Sequence, residues 1–145
     1  MEIEESRATG WVAWVLFGGI LLVLLGAIHL TVGLVTLLRP EFIAGDRADL
    51  LLPVSLTALA WMHLALGVLA LVTGAGLIRG LTWARVVAIQ LAVLAALVNF
   101  TFIAVFPVWS IIAVVLATLI AWAAAMHGDE VADAMAPPTP AAFGS

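Results

Sequence analysis

The sequence predicts an all-α fold: an integral membrane four-helix bundle running up-down-up-down. Two observations carry this. Residues 11–38, 53–78, 82–105 and 108–127 form apolar runs of 28, 26, 24 and 20 residues that contain no Asp, Glu or Lys, and Arg85 is their only full charge. Crossing the hydrocarbon of a bilayer takes about 20 apolar residues. In lipid the backbone N–H and C=O groups must find partners inside their own segment, which makes each run a helix. Composition agrees, with 66% of the 145 residues hydrophobic and 10% charged, and a mean hydropathy of +1.27. A soluble domain of this size buries only about two-thirds of its chain surface and could not hide so much apolar area.

The elements follow in order. Residues 1–10 read as a cytoplasmic tail. Its start, Met1-Glu2-Ile3-Glu4-Glu5, is acidic, unlike the basic start of a cleaved secretory signal, so the first run is expected to stay as a span. The loop 39–52 has room for a short interfacial helix begun at Asp46, carrying Leu50, Leu51 and Leu52 to the membrane before Pro53. Arg79-Gly80-Leu81-Thr82 supplies a helix-ending glycine and an N-capping threonine, hence a tight turn between the second and third spans. Pro107 suits the first turn of the fourth span. The bundle is expected to close at Gly128, and 129–145, with Ala136-Pro137-Pro138-Thr139-Pro140, to be a disordered tail.

Both termini and the second loop share one face. Arg7, Arg79 and Arg85 fall there, and Arg39 and Arg47 on the other, so the positive-inside rule places the termini in the cytoplasm. Trp11, Trp14, Trp83 and Trp122 form an aromatic belt at the terminal face, and Trp109 marks the opposite boundary. The formal charge of −4, with all five basic residues arginine, leaves no basic patch, and no nucleic-acid partner is expected. The absence of cysteine excludes disulfides, thiol catalysis and Fe–S clusters.

Lipid tails are as apolar as leucine, so membrane helices associate through close approach at small residues. The first span carries Gly19, Gly26 and Gly33, and the second Ala60, Gly67 and Gly74, each set seven apart. Ala88, Ala92, Ala95 and Asn99 in the third span, and Ser110, Ala113, Ala117, Ala121 and Ala124 in the fourth, also share helical faces. Spacings of seven match left-handed packing near +20°. Four such seams exceed what one bundle must bury, which predicts a homo-oligomer or a larger membrane partner alongside the lipid bilayer.

His29 and His63 fall on these seams, each three residues after a small residue and four before a glycine. At about 1.5 Å per residue, His29, His63 and Asn99 lie at one depth, forming a polar intramembrane layer nearer the non-terminal face. Ionisable residues inside spans mark function by default. The simplest reading is that the three hydrogen-bond across the bundle and fix its register. A second makes His29 and His63 axial ligands of a b-type haem, the neighbouring glycines giving room for the macrocycle. A third makes the layer the site of a small channel or transporter for a neutral solute. No metal site is expected, since zinc takes four ligands as a rule. Gln90 reads as a helix–helix hydrogen bond, Trp61 and Met62 as packing or lipid-facing residues, and His127 as a helix end suited to the dipole. Asp129, Glu130 and Asp133 read as a solvated acidic tail.

No carboxylate lies within the spans, and His-Glu-x-x-His, Gly-x-Ser-x-Gly and phosphate-loop motifs are absent. Catalysis needs a positioned acid, base or nucleophile, so no enzyme and no catalytic residue is expected.

Gly10-Trp11-Val12-Ala13, Leu25-Gly26-Ala27-Ile28-His29-Leu30-Thr31-Val32-Gly33-Leu34, His63-Leu64-Ala65-Leu66-Gly67-Val68-Leu69, Trp83-Ala84-Arg85 and Pro107-Val108-Trp109-Ser110-Ile111-Ile112 with His127-Gly128 resemble a family of small four-helix actinobacterial membrane proteins of unknown function. The resemblance implies the plasma membrane of a GC-rich bacterium, in keeping with the lysine-free composition. It carries over no activity, cofactor or catalytic residue. The function expected is a non-enzymatic multi-pass membrane protein, structural or accessory in role.

Overall fold

The computed structural model describes residues 10–41 and 55–135. Four helices fill most of them: α1 (Gly10–Leu38), α2 (Leu56–Ile78), α3 (Thr82–Thr101) and α4 (Pro107–Met135). No strand occurs among the described residues. All four helices are long and apolar enough to cross a membrane. At about 1.5 Å per residue, the 29 residues of α1 and of α4 span roughly 43 Å, well beyond the ~30 Å hydrocarbon core. The outer surface is correspondingly greasy: Leu24, Ile28, Trp61, Leu97, Phe100 and Val108 are all more than half exposed. Water would not tolerate such a surface over the whole bundle, whereas acyl chains do.

Local chemistry sets the helix ends. Ser55 caps α2, its hydroxyl accepting the Ala58 N–H at 3.1 Å, so the helix starts three residues after the expected position 53. Residues 53 and 54 lie outside the described residues, as do 1–9, the expected loop helix and 136–145. At the other end Gly80 takes φ +73°. The Leu81 N–H reaches Gly76 O at 2.9 Å and the Gly80 N–H reaches Leu77 O at 3.0 Å, the paired bonds of a Schellman ending. The glycine ends the helix as its type predicts, but the threonine does not cap the next one. Leu81 occupies the cap position with no side-chain bond, and the Thr82 hydroxyl instead accepts from Arg85 at 3.3 Å.

α3 stops at Thr101, four residues short of the expected 105. Pro107 disfavours helical backbone at the preceding residue, so 102–106 make turns, and the Phe106 carbonyl accepts the Ser110 N–H to begin α4. α4 in turn overruns its expected end at His127 by eight residues and reaches Met135. The stretch 129–135, expected as tail, is helix.

The helices form a ring in which α1 packs on α2 and α4, and α3 on α2 and α4, with the α1–α2 and α3–α4 pairs most extensive. The α1–α2 seam matches the glycine spacing: Gly19 meets Gly74, Gly26 meets Gly67, and Gly33 meets Ala60. A Cβ at Gly26 would stand 2.8 Å from Gly67 O and from the Leu71 N, so the backbones themselves are in contact. All four helices meet in a core at the terminal end, where Val15, Leu77, Ala84, Ala88, Ala123 and Val131 cluster under Trp11, Val12 and Leu16. Towards the opposite end α3 adds nothing to the core: none of its residues beyond Ala88 is buried.

Candidate functional site

Two groups of polar side chains are brought together, one inside the span region and one at the terminal end. The inner one is the histidine pair. Because α1 and α2 run antiparallel with Gly26 against Gly67 and Gly33 against Ala60, His29 and His63 are forced to face each other between those two layers. Their ring centroids lie 5.2 Å apart, tilted by 47°, and both side chains are partly buried. His63 Nδ1–H donates to Leu59 O in its own helix at 2.9 Å, which leaves the lone pair on Nε2. His29 Nδ1 is buried and has no hydrogen-bond partner.

Asn99 does not join them. Its amide donates to Ala95 O one turn back at 2.9 Å, and no hydrogen bond links it to either ring. The expected cross-bundle network of three residues is a ring contact between two, and register is set by the glycines rather than by polar bonds. The haem reading gains no support from the geometry. The glycines expected to make room for a macrocycle are filled by the facing helix, with Gly67 O and the Leu71 backbone where a Gly26 Cβ would point. A porphyrin inserted between the rings would have to prise apart helices whose backbones touch on both sides of it. Protein expressed with excess haem is therefore expected to show no Soret absorption; a band abolished by His63→Ala would reverse this conclusion. The same close seam leaves no passage for a solute between α1 and α2 at the pair.

The terminal group is a constellation that the linear pattern does not disclose. The Trp11 ring stacks on His127 at 5.3 Å and meets Trp122 edge-on at 4.3 Å. His127 also lies 5.5 Å from Trp122, and its Nδ1 is 2.7 Å from Glu130 Oε1. Two residues further along α4, Asp129 pairs with Arg85 at 2.7 Å, the guanidinium side chain only 13% exposed. Gly128 makes this possible, since any Cβ there would strike the Arg85 Cδ. Gly80 does the same for the helix end, lying against the backbone of Val131 and Ala132. His127-Gly128-Asp129-Glu130 is thus a fastening that ties α4 to the start of α1 and to the α2–α3 turn. The belt of tryptophans points to this end, but nothing local in the sequence pairs Arg85 with Asp129.

The model of a domain of unknown function, DUF7144, matches residues 14–129. The chain belongs to the DUF7144 family. The DUF7144 match covers the glycine seam, both inner histidines and the fastening up to Asp129. No curated protein and no solved structure matches the chain.

Proposed function

We propose that this DUF7144 protein is a non-enzymatic, multi-pass protein of the plasma membrane of a GC-rich actinobacterium, with cytoplasmic termini and a structural or accessory role. It would act by holding a second copy or a larger membrane partner along the outer face of α3 and α4. One observation carries the reading. The α1–α2 seam is closed within the chain, while α3 and α4 leave an open groove of about 320 Å³ lined by Ala92, Ala96, Leu97, Phe100, Ala117 and Ala121. Small residues facing lipid at helical spacing let another helix approach closely, and that closeness drives association in a bilayer. The charged groups of the described residues support a role without chemistry. Arg39, Glu41, Arg79, Arg85, Asp129, Glu130 and Asp133 all sit at or near helix ends, leaving the two inner imidazoles as the titratable groups at depth.

The chain has no cysteine, which makes the test clean. Ala96→Cys and Thr118→Cys variants, oxidised in native membranes, are expected to give reducible adducts, with Trp61→Cys, exposed on α2 and outside the groove lining, giving none. Monomers alone at both groove positions, together with monomeric migration in mild detergent, would overturn the reading.

A further inference from the structure

We infer that Gln90 joins two copies of this chain, its side-chain amide pairing with the same amide of a second copy inside the bilayer. The inference rests on the proposed association along the outer face of α3 and α4, and it names the partner and the contact. Three observations converge on it. The first is depth: within α3 (Thr82–Thr101), at about 1.5 Å per residue, Gln90 stands about 12 Å from one end and about 16 Å from the other, in the middle of the hydrocarbon. The second is exposure. Gln90 is exposed and shares one helical ridge with Val86, Val93 and Leu97, which are 54%, 49% and 61% exposed. The third is the missing partner. The sequence predicts a helix–helix hydrogen bond here, yet the Gln90 amide bonds to no described residue. Exposed hydroxyls elsewhere in the helices are satisfied locally: Thr31 donates to Ala27 O, Thr101 to Val98 O and Thr118 to Val114 O.

Amide chemistry selects the partner. Acyl chains offer neither donor nor acceptor, so an unpaired amide at this depth is costly, and a hydrogen bond to another helix removes the cost by association. A glutamine side chain carries two N–H donors and a carbonyl acceptor, which makes it complementary to itself: each amide donates to the oxygen of the other, and both are satisfied. Copies inserted with the same topology carry Gln90 at the same depth. A two-fold axis along the membrane normal therefore brings the two amides together without sliding either helix, in a self-complementary contact of the kind that closes dimers. A charged partner group would need a full charge at mid-bilayer, which is far more costly than a second amide. Val93 and Leu97 belong both to this ridge and to the lining of the α3–α4 groove, so the amide contact sits on the rim of the groove and sets the second copy beside it.

The test is sedimentation equilibrium of the full-length chain in density-matched micelles of a mild detergent. The wild type is expected to dimerise. Gln90→Leu, which keeps the bulk of an exposed side chain and removes both hydrogen bonds, should weaken the dimer about tenfold, and Gln90→Asn, still a self-complementary amide, should lose less. Asn99→Leu should leave the dimer unchanged, because the Asn99 amide is bonded to Ala95 O within its own helix. Helical circular dichroism confirms that each variant is folded. A Gln90→Leu chain that dimerises as the wild type does overturns the inference and leaves association through the groove intact, and equal weakening by Asn99→Leu overturns it as a general loss of packing. A wild type that stays monomeric overturns it too. Adducts of Ala96→Cys with a different protein in native membranes would then keep the broader reading, and no adduct at all would end both.

Discussion

Replacing Gly74 by valine is expected to lower the stability of the bundle by about 3 kcal/mol, the upper end of the usual cost of overpacking. The new Cβ would lie 2.6 Å from Gly19 O and 2.9 Å from the Val23 N. Both are backbone atoms of α1, so no rotamer change relieves the contact and the helix itself must move. Helix propensity opposes this, since leaving glycine gains up to about 1 kcal/mol in an exposed helix interior. Valine recovers only part of that because its branched Cβ is restricted there, so the clash wins. Gly67→Val should behave alike, its Cβ meeting the Leu30 N at 2.8 Å, whereas Gly10→Ala, with nothing within 4 Å, should be neutral. Unfolding in mixed micelles, followed by the fluorescence of the six tryptophans, reads the difference. Equal midpoints for Gly74→Val and Gly10→Ala would mean that α1 and α2 are not in backbone contact.

The second large effect is expected at the other end of the molecule. Trp11→Ala removes the ring that stacks on His127 and abuts Trp122. A covered tryptophan buries about 150–250 Å²; Trp11 is only partly buried, so roughly half of that at about 25 cal/mol/Å² gives a loss of about 2–3 kcal/mol. The loss should be local before it is global. Amide exchange over 128–135 is expected to quicken by tenfold or more, each tenfold corresponding to about 1.4 kcal/mol, while the centre of α2 changes less. Trp11→Phe, which keeps a ring against His127, should restore most of the protection. Exchange in the last two turns of α4 that does not respond to Trp11→Ala would show that they are held without it.

The two predictions fall on opposite sides of what the sequence can disclose. Gly19, Gly26 and Gly33 lie on one face of α1, and Ala60, Gly67 and Gly74 on one face of α2, because a seven-residue interval returns a helix to nearly the same side. Two such faces on antiparallel neighbours pair in the observed register, and the facing of His29 and His63 follows from it. The terminal fastening is hidden for the opposite reason. Gly128, Asp129, Glu130 and Asp133 have the composition of a solvated tail when read along the chain. What makes this segment helical is Val131 buried in the core, Arg85 lying over Gly128 and Gly80 lying under Ala132, all dependent on residues from elsewhere in the chain.

Asn99 marks a further difference between sequence and structure. Equal depth from the helix ends suggests contact with the histidines, but depth fixes height in the bundle and not azimuth around it. No residue of α3 beyond Ala88 is buried, and the part-buried Asn99 amide turns back to the Ala95 carbonyl, a bond within the helix rather than across the bundle.

By itself, the sequence determined four apolar helices, the approximate start of each, and the face on which α1 meets α2. These follow from local rules: backbone satisfaction in lipid, proline and glycine at turns, and helical periodicity. The tertiary structure decided that the histidine rings lie 5.2 Å apart without room for a macrocycle, that α3 and α4 leave a groove open, and that α4 runs on to Met135. Each of these depends on how closely backbones approach and on partners distant in the chain, and no single segment encodes either.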